Sequence, residues 1–277
     1  MARDPARRDG GLTCVAKSSN MSRFSNLEFN PPKGEQTSHS EAVSDDVFHL
    51  READAAFRRG AFDQALRSYA RTLEYDPNSA AAWVGQVRML IELGQFKEAN
   101  LWVDKALERF PHQAEALAAK AVALARVGDT KAALAFSDAA IEEESSTPYV
   151  WLARGDVLLA RAERRAESCF TKALAVASQD WLWPWLASRI HAFYRKFSLA
   201  MKLASQALAL DSSHAAVWLQ LGRCQMALGL AGAANDSFTQ ARELDPECPE
   251  IGDAAAALRE SGFWDWLAGR YRRGWKG

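Results

Sequence analysis

Residues 80–113 read AAAWVGQVRMLIELGQFKEANLWVDKALERFPHQ, and their spacing of large, small and turn residues returns before and after them every 34 residues. A fixed period of about 20–50 residues marks a repeat architecture. In this copy Trp83, Val84, Val87, Leu90 and Ile91 fall on one side of a helix running from about Ala80 to Leu93 and stopped by Gly94. A second helix, from Phe96 to Phe110, carries Ala99, Val103, Ala106 and Leu107 on its buried side. Pro111 follows its last turn, where no free N–H is needed. One such hairpin cannot bury its own apolar face, whereas copies stacked side by side can. The expectation is an all-α solenoid.

The pattern resembles the tetratricopeptide repeat, which has Trp at position 4, Leu-Gly at 7 and 8, Tyr at 11, Ala at 20, Phe or Tyr at 24, Ala at 27 and Pro at 32. With Ala80 as position 1, frames begin at Asp46, Ala80, Ala114, Pro148, Trp181 and Ala215, giving repeats 46–79, 80–113, 114–147, 148–180, 181–214 and 215–248. The last copy is the most orthodox, with Trp218, Leu221, Gly222, Gly229, Ala234, Phe238, Ala241 and Pro246 in family places. The resemblance implies a right-handed superhelical solenoid of six helix hairpins closed by a C-terminal capping helix. The expected array is 45–261, its cap 249–261, preceded by a disordered tail, 1–44, and followed by an aromatic-basic tail, 262–277. Ser44 reads as the cap of the first helix, with Asp45 and Asp46 in its first turn.

The charges nearly cancel: 34 Lys and Arg against 35 Asp and Glu leave a net charge of −1. No global field favours nucleic acid or an anionic membrane, so nucleic acid is not expected as a partner and any electrostatic preference is local. Cys14, Cys169, Cys224 and Cys248 are scattered with no CxxC pair, which indicates reduced and mostly buried thiols, with neither a zinc site nor a disulfide framework. No run approaches the ~20 apolar residues that span a bilayer. The N-terminus has basic residues with no apolar segment behind them, which is not the pattern of a secretory signal. A soluble, cytoplasmic protein is expected; a transit reading of residues 1–23 and a start at Met21 stay open.

Departures from the pattern carry information too. In the fourth repeat Phe170 and Ala173 arrive one residue early, so the turn around Ala162–Arg165 is expected to be one residue short, and it lacks the usual glycine. The fifth repeat clusters Trp181, Trp183 and Trp185 around Pro184, which suits the first turn of a helix. These tryptophans read either as a packing plug or as a recognition surface. The tail, with Phe263, Trp264, Trp266 and Tyr271 among basic residues, reads as an attachment element for the array itself, a partner protein or a membrane surface.

No catalytic constellation is present. The five histidines lack metal-ligand spacing, there is no GxSxG elbow, and no strand is expected from which a phosphate loop would follow. His191 falls at a packing position, and neither a cofactor nor a metal is expected. In the family, ligands lie along the concave side, lined by positions 2, 5, 9, 12 and 13 of each first helix. Carried onto this sequence, that resemblance implies a groove whose main anchors are Arg88, Arg126, Tyr149, Asp156, Trp185, Arg189, Phe193, Arg223 and Met226. Arg189 and Arg223 are expected as neighbours inviting an anionic group, unless Asp156 pairs with Arg189. Leu50 and Asp54 stand where the chaperone-tail clamp has Lys and Asn, so chaperone C-termini are not expected as ligands. The function implied is a non-catalytic adaptor holding a peptide or helix of another protein, with a self-assembling structural subunit, or homo-oligomer, as the alternative.

Overall fold

The structure, a computed structural model, describes residues 39–260 except 144 and 146, with side chains from residue 45 onward. Twelve helices follow one another as hairpins: α1 (His39–Arg58) with α2 (Phe62–Tyr75), α3 (Ala80–Glu92) with α4 (Phe96–Arg109), and α5 (Ala114–Val127) with α6 (Thr130–Glu142). They continue as α7 (Pro148–Ala160) with α8 (Ala166–Val176), α9 (Leu182–Phe193) with α10 (Phe197–Leu210), and α11 (Ala215–Ala227) with α12 (Ala231–Leu244). Residues 249–260 form a further helix, α13, and no strand occurs among the described residues. The chain is an all-α solenoid of helix hairpins.

The hairpins owe their sameness to two kinds of small residue. Each turn places one residue in the left-handed region: Gly60 (φ 79°), Gly94 (76°), Gly128 (97°) and Gly229 (76°). Glycine adopts that conformation without the Cβ clash other residues suffer. Where glycine is missing, Ala162 (φ 55°) and Arg195 (φ 59°) adopt it instead. The fourth turn therefore keeps the common geometry, and the missing residue is lost beyond it. The chain runs through Glu163–Arg165 before α8 begins, and α8, at 11 residues, is the shortest of the twelve helices. The second kind is the alanine pair of each second helix after α2, which has Ala65 and Thr72 in those places. Ala99 and Ala106, Ala133 and Ala140, Ala166 and Ala173, Ala200 and Ala207, and Ala234 and Ala241 are all 0 or 1 % exposed. Such side chains let neighbouring helices approach closely.

Two expectations about helix ends change or hold for local reasons. α1 begins at His39, so Ser44 lies inside a helix instead of capping one. Between His39 and Arg58 there is no Gly or Pro, and extending a formed helix costs far less than starting one. Pro184 does sit in the first turn of α9, where Trp185 N–H bonds back to the Trp181 carbonyl at 3.2 Å. At the other end, Ile251, Ala254 and Leu258 of α13 pack on Leu219, Phe238 and Ala241, covering the last hairpin.

What positions the candidate site is the way the hairpins curl. The first hairpin turn reaches α9 and α11: Phe62 stacks on Trp185 at 6.0 Å, and a Cβ built on Gly60 would lie 2.9 Å from Ala216 Cβ. Arg58 engages Asp180 with two hydrogen bonds, at 2.9 and 3.2 Å, across 122 residues of sequence. The first and fifth hairpins thus meet through side chains over the concave side.

Candidate protein-binding groove

The residues expected along the groove come together, but most of them are engaged with one another. Trp185 is buried against Phe57 and Phe62, and its indole N–H donates to the Ala216 carbonyl at 3.3 Å. Trp181 is buried too, stacked on His214 with ring centroids 3.6 Å apart. These two tryptophans fill space between hairpins, which is the packing role. Arg88 lies between the Phe57 and Tyr149 rings, 4.9 and 4.2 Å from their centroids, a cation–π arrangement. Tyr149 is itself buried, and burial raises its pKa.

Asp156 forms the centre of a second cluster. It is buried and accepts hydrogen bonds from Arg126 Nη2 at 2.6 Å, Arg126 Nε at 3.1 Å and the Tyr194 hydroxyl at 2.6 Å. The Arg126 guanidinium also lies 3.6 Å from the Phe193 ring centroid. Burial works against the Arg126 charge, yet the attraction and hydrogen bonds of Asp156 outweigh it and raise its pKa. Tyr194 is held in its neutral form by burial first and by the Asp156 carboxylate second. With a bidentate arginine and a phenol on one carboxylate, the Asp156 charge is satisfied within this cluster.

The alternative pairing of Asp156 with Arg189 does not occur. Arg189 Nε instead donates to Glu92 Oε2 of α3 at 2.7 Å, across 97 residues, with Phe62 and Trp185 rings 4.4 and 5.4 Å from its guanidinium. Arg223 is a neighbour of the same cleft, but it too meets an acid, Glu250 of α13, at 2.8 Å. The expectation of two arginines facing each other without acids therefore fails, because α3 brings Glu92 to Arg189 and α13 brings Glu250 to Arg223. Met226 packs on the terminal core with Leu219. Phe193 is the one expected anchor with a largely open ring, 47 % exposed, edge-on to Phe96 at 5.9 Å. The tail residues Phe263, Trp264, Trp266 and Tyr271 lie outside the described residues.

Two cavities of similar size lie beside this network. One, about 350 Å³, lies between the first hairpin turn and α9, α11 and α13, with Phe62, Trp185, Leu219 and Ile251 as apolar lining; Arg59, Arg67, Arg189 and Arg223 lie around it together with Asp63, Asp245, Glu247 and Glu250. The other, also about 350 Å³, has Ile91, Phe96, Ile190 and Phe193 as apolar lining with Arg126, Arg189 and Glu92. The family's groove positions include Glu92, whereas sequence reasoning did not place Phe62, Tyr194 or Phe96 there; the curl of the hairpins brings these three to the groove. Among the described residues no cluster of three or more His, Cys, Asp or Glu is placed to hold a metal ion, and no helix is long and apolar enough to cross a membrane.

A curled stack of helix hairpins with left-handed turn residues every 33 or 34 positions defines a class, the α-solenoid protein-interaction scaffold. Residues 56–123 and 195–258 match the family model of the tetratricopeptide repeat, and the chain is a tetratricopeptide repeat protein. No curated protein matches it in sequence. Among solved structures, a tetratricopeptide repeat protein from Parabacteroides merdae ATCC 43184 aligns with TM-score 0.51 and 16% identity over 77% of this chain and 84% of that one. The Cut9-Hcn1 hetero-tetramer of the APC/C aligns with TM-score 0.47 and 14% identity over 78% of this chain, which spans only 43% of that one. A thermophilic TPR protein of Thermus thermophilus, TTC0263, aligns with TM-score 0.47 and 16% identity over 77% of this chain and 98% of that one. At such identities the likeness is one of fold alone.

Proposed function

We propose that the protein is a non-catalytic adaptor holding a peptide or helix of another protein on its concave side, and that the partner seats at the cleft between the first hairpin turn and α9, α11 and α13. The observation that carries this reading is that cleft itself: about 350 Å³, lined by Phe62, Trp185, Leu219 and Ile251, with arginines and carboxylates both around it. Apolar lining with a few convergent polar groups is the general character of a binding site, and aromatic and Arg residues dominate binding hot spots. The middle of the groove is filled by the Arg126–Asp156–Tyr194 cluster, so the partner does not run its whole length.

The test uses the rim. Arg59 and Arg67 are exposed, so replacing both by Glu leaves the packing untouched. Partners captured by the wild-type protein and identified by mass spectrometry are expected to be lost with the double variant at unchanged melting temperature. A partner retained in full places the binding surface elsewhere.

A structural subunit is the second reading, and one patch favours it. Phe48, 62 % exposed, lies edge-on to His49, which stacks on Tyr75, so an aromatic cluster faces outward from the first hairpin. Light scattering of the wild-type protein and of Phe48→Ser decides: an oligomer that the substitution dissolves supports the subunit, and a monomer throughout removes it.

A further inference from the structure

The two arginine–carboxylate pairs of the groove differ in kind. Arg126 and Asp156 are both buried and joined through two guanidinium nitrogens, with Tyr194 holding the carboxylate from another side. Arg189 and Glu92 are each about one-fifth exposed and joined by a single hydrogen bond, from Nε to Oε2. Among the described residues no hydrogen bond engages the two terminal nitrogens of Arg189. A carboxylate approaching an arginine fork-on engages two nitrogens and binds more strongly than one held at Nε alone. Glu92 is therefore a carboxylate that a better-placed one can displace.

Position adds to this. Arg189 lines both 350 Å³ cavities, and Glu92 reaches it from the opposite wall. The pair thus stands as a bar between one aromatic cavity, with Phe62 and Trp185, and another, with Phe96 and Phe193. The Phe62 ring under the guanidinium, 4.4 Å away, keeps Arg189 in place whichever carboxylate it holds.

We propose that Glu92 is an internal stand-in for a carboxylate of the partner: an extended peptide places an Asp or Glu side chain on Arg189, releases Glu92, and lays an apolar side chain into the cavity on either side. In an extended strand residues two apart share a face. The recognised pattern is then apolar, any residue, acid, any residue, apolar. This rests on the adaptor reading above and specifies the ligand chemistry of its groove.

The experiment uses the full chain and two fluorescein-labelled peptides differing at one residue, with Phe-Ser-Glu-Ser-Phe or Phe-Ser-Gln-Ser-Phe at the centre, titrated by fluorescence anisotropy. Glu92→Gln removes the competing charge at constant size, and is expected to bind the Glu peptide about tenfold more tightly than wild type does. Arg189→Gln is expected to lose that binding, and the Gln peptide to bind weakly to all three proteins. If Glu92→Gln melts well below wild type, Glu92→Asp, which withdraws the carboxylate by one methylene, replaces it with the same expected gain. Equal affinity of wild type and variant for the Glu peptide, indifference to Glu or Gln in the peptide, or no binding by the variant each overturns the inference. The Arg59/Arg67 capture result is independent. Partner loss there with no Glu92 dependence here removes only the stand-in, and partner retention there removes the seat on which it rests.

Discussion

Gly222 has no room for a methyl group: a Cβ there would lie 2.4 Å from Cε1 of the buried Phe238 ring. Gly222→Ala is expected to destabilise the protein by about 1–3 kcal/mol through overpacking, read as a shift in the urea midpoint. Ala162 presents the opposite case, since its φ of 55° suits glycine better. Ala162→Gly is expected to raise stability by about 0.5–1 kcal/mol, the left-handed strain relieved less the backbone entropy of glycine. Cys224 sets a pH response. Burial pushes its thiol up to about 11, against an ordinary 9.0. Between those values the unfolded chain loses the proton while the folded chain keeps it, so stability falls as pH rises through this window. The buried Tyr69 and Tyr149 and the half-buried Tyr194, each raised above an ordinary 10.0 mainly by burial, add to the loss from about pH 10 upward. Cys224→Ala is expected to lessen the fall in urea midpoint between about pH 9 and pH 11, and an unchanged fall assigns it to other groups. At this scale the alanine pairs and Gly222 were legible from the repeat frame. The left-handed Ala162 and Arg195 were not, because neither residue type announces that conformation.

Among the elements, α5 and α7 are joined by the Arg126–Asp156 pair, and α11 and α13 by Arg223–Glu250, with quite different consequences. Asp156→Asn leaves the Arg126 charge buried without its counter-charge and is expected to cost about 3–5 kcal/mol in urea denaturation. Arg223→Ala removes an exposed pair and is expected to cost below about 1 kcal/mol. Similar losses for both would mean that the Asp156 cluster is wetter than its burial implies. The helices themselves could be read from the sequence, since apolar spacing, Gly94 and Pro111 are local signals. The partner of Arg189 was not legible. Neighbouring first helices are adjacent in any such array, but which distant pair of them meets depends on a curl summed over several hairpins, and small deviations at each, such as the shortened α8, accumulate in that sum.

For the molecule as a whole, stability resides in stacking, because each hairpin buries its apolar face on its neighbours. A fragment of residues 80–147 lacks both neighbours, and is expected to show little helical circular dichroism or to aggregate; cooperative melting near the full-length temperature would falsify this. Trp185→Ala removes the side chain on which Phe57 and Phe62 pack and is expected to cost about 3–5 kcal/mol, with faster hydrogen exchange in α1 and α2 than in α5 and α6. The same long-range closure also governs how the protein is made. Most contacts join helices next to each other in the chain and form as soon as both have left the ribosome. The Arg58–Asp180 clasp spans 122 residues, so the opening hairpin stays without its distant partner while the helices from α3 to α8 are being synthesised. Loops of that length close late and slowly. The nascent chain therefore carries an open face, with Phe57 and Phe62 still lacking Trp185, until α9 emerges, and that interval is when the protein is most exposed to chaperones and to misassembly.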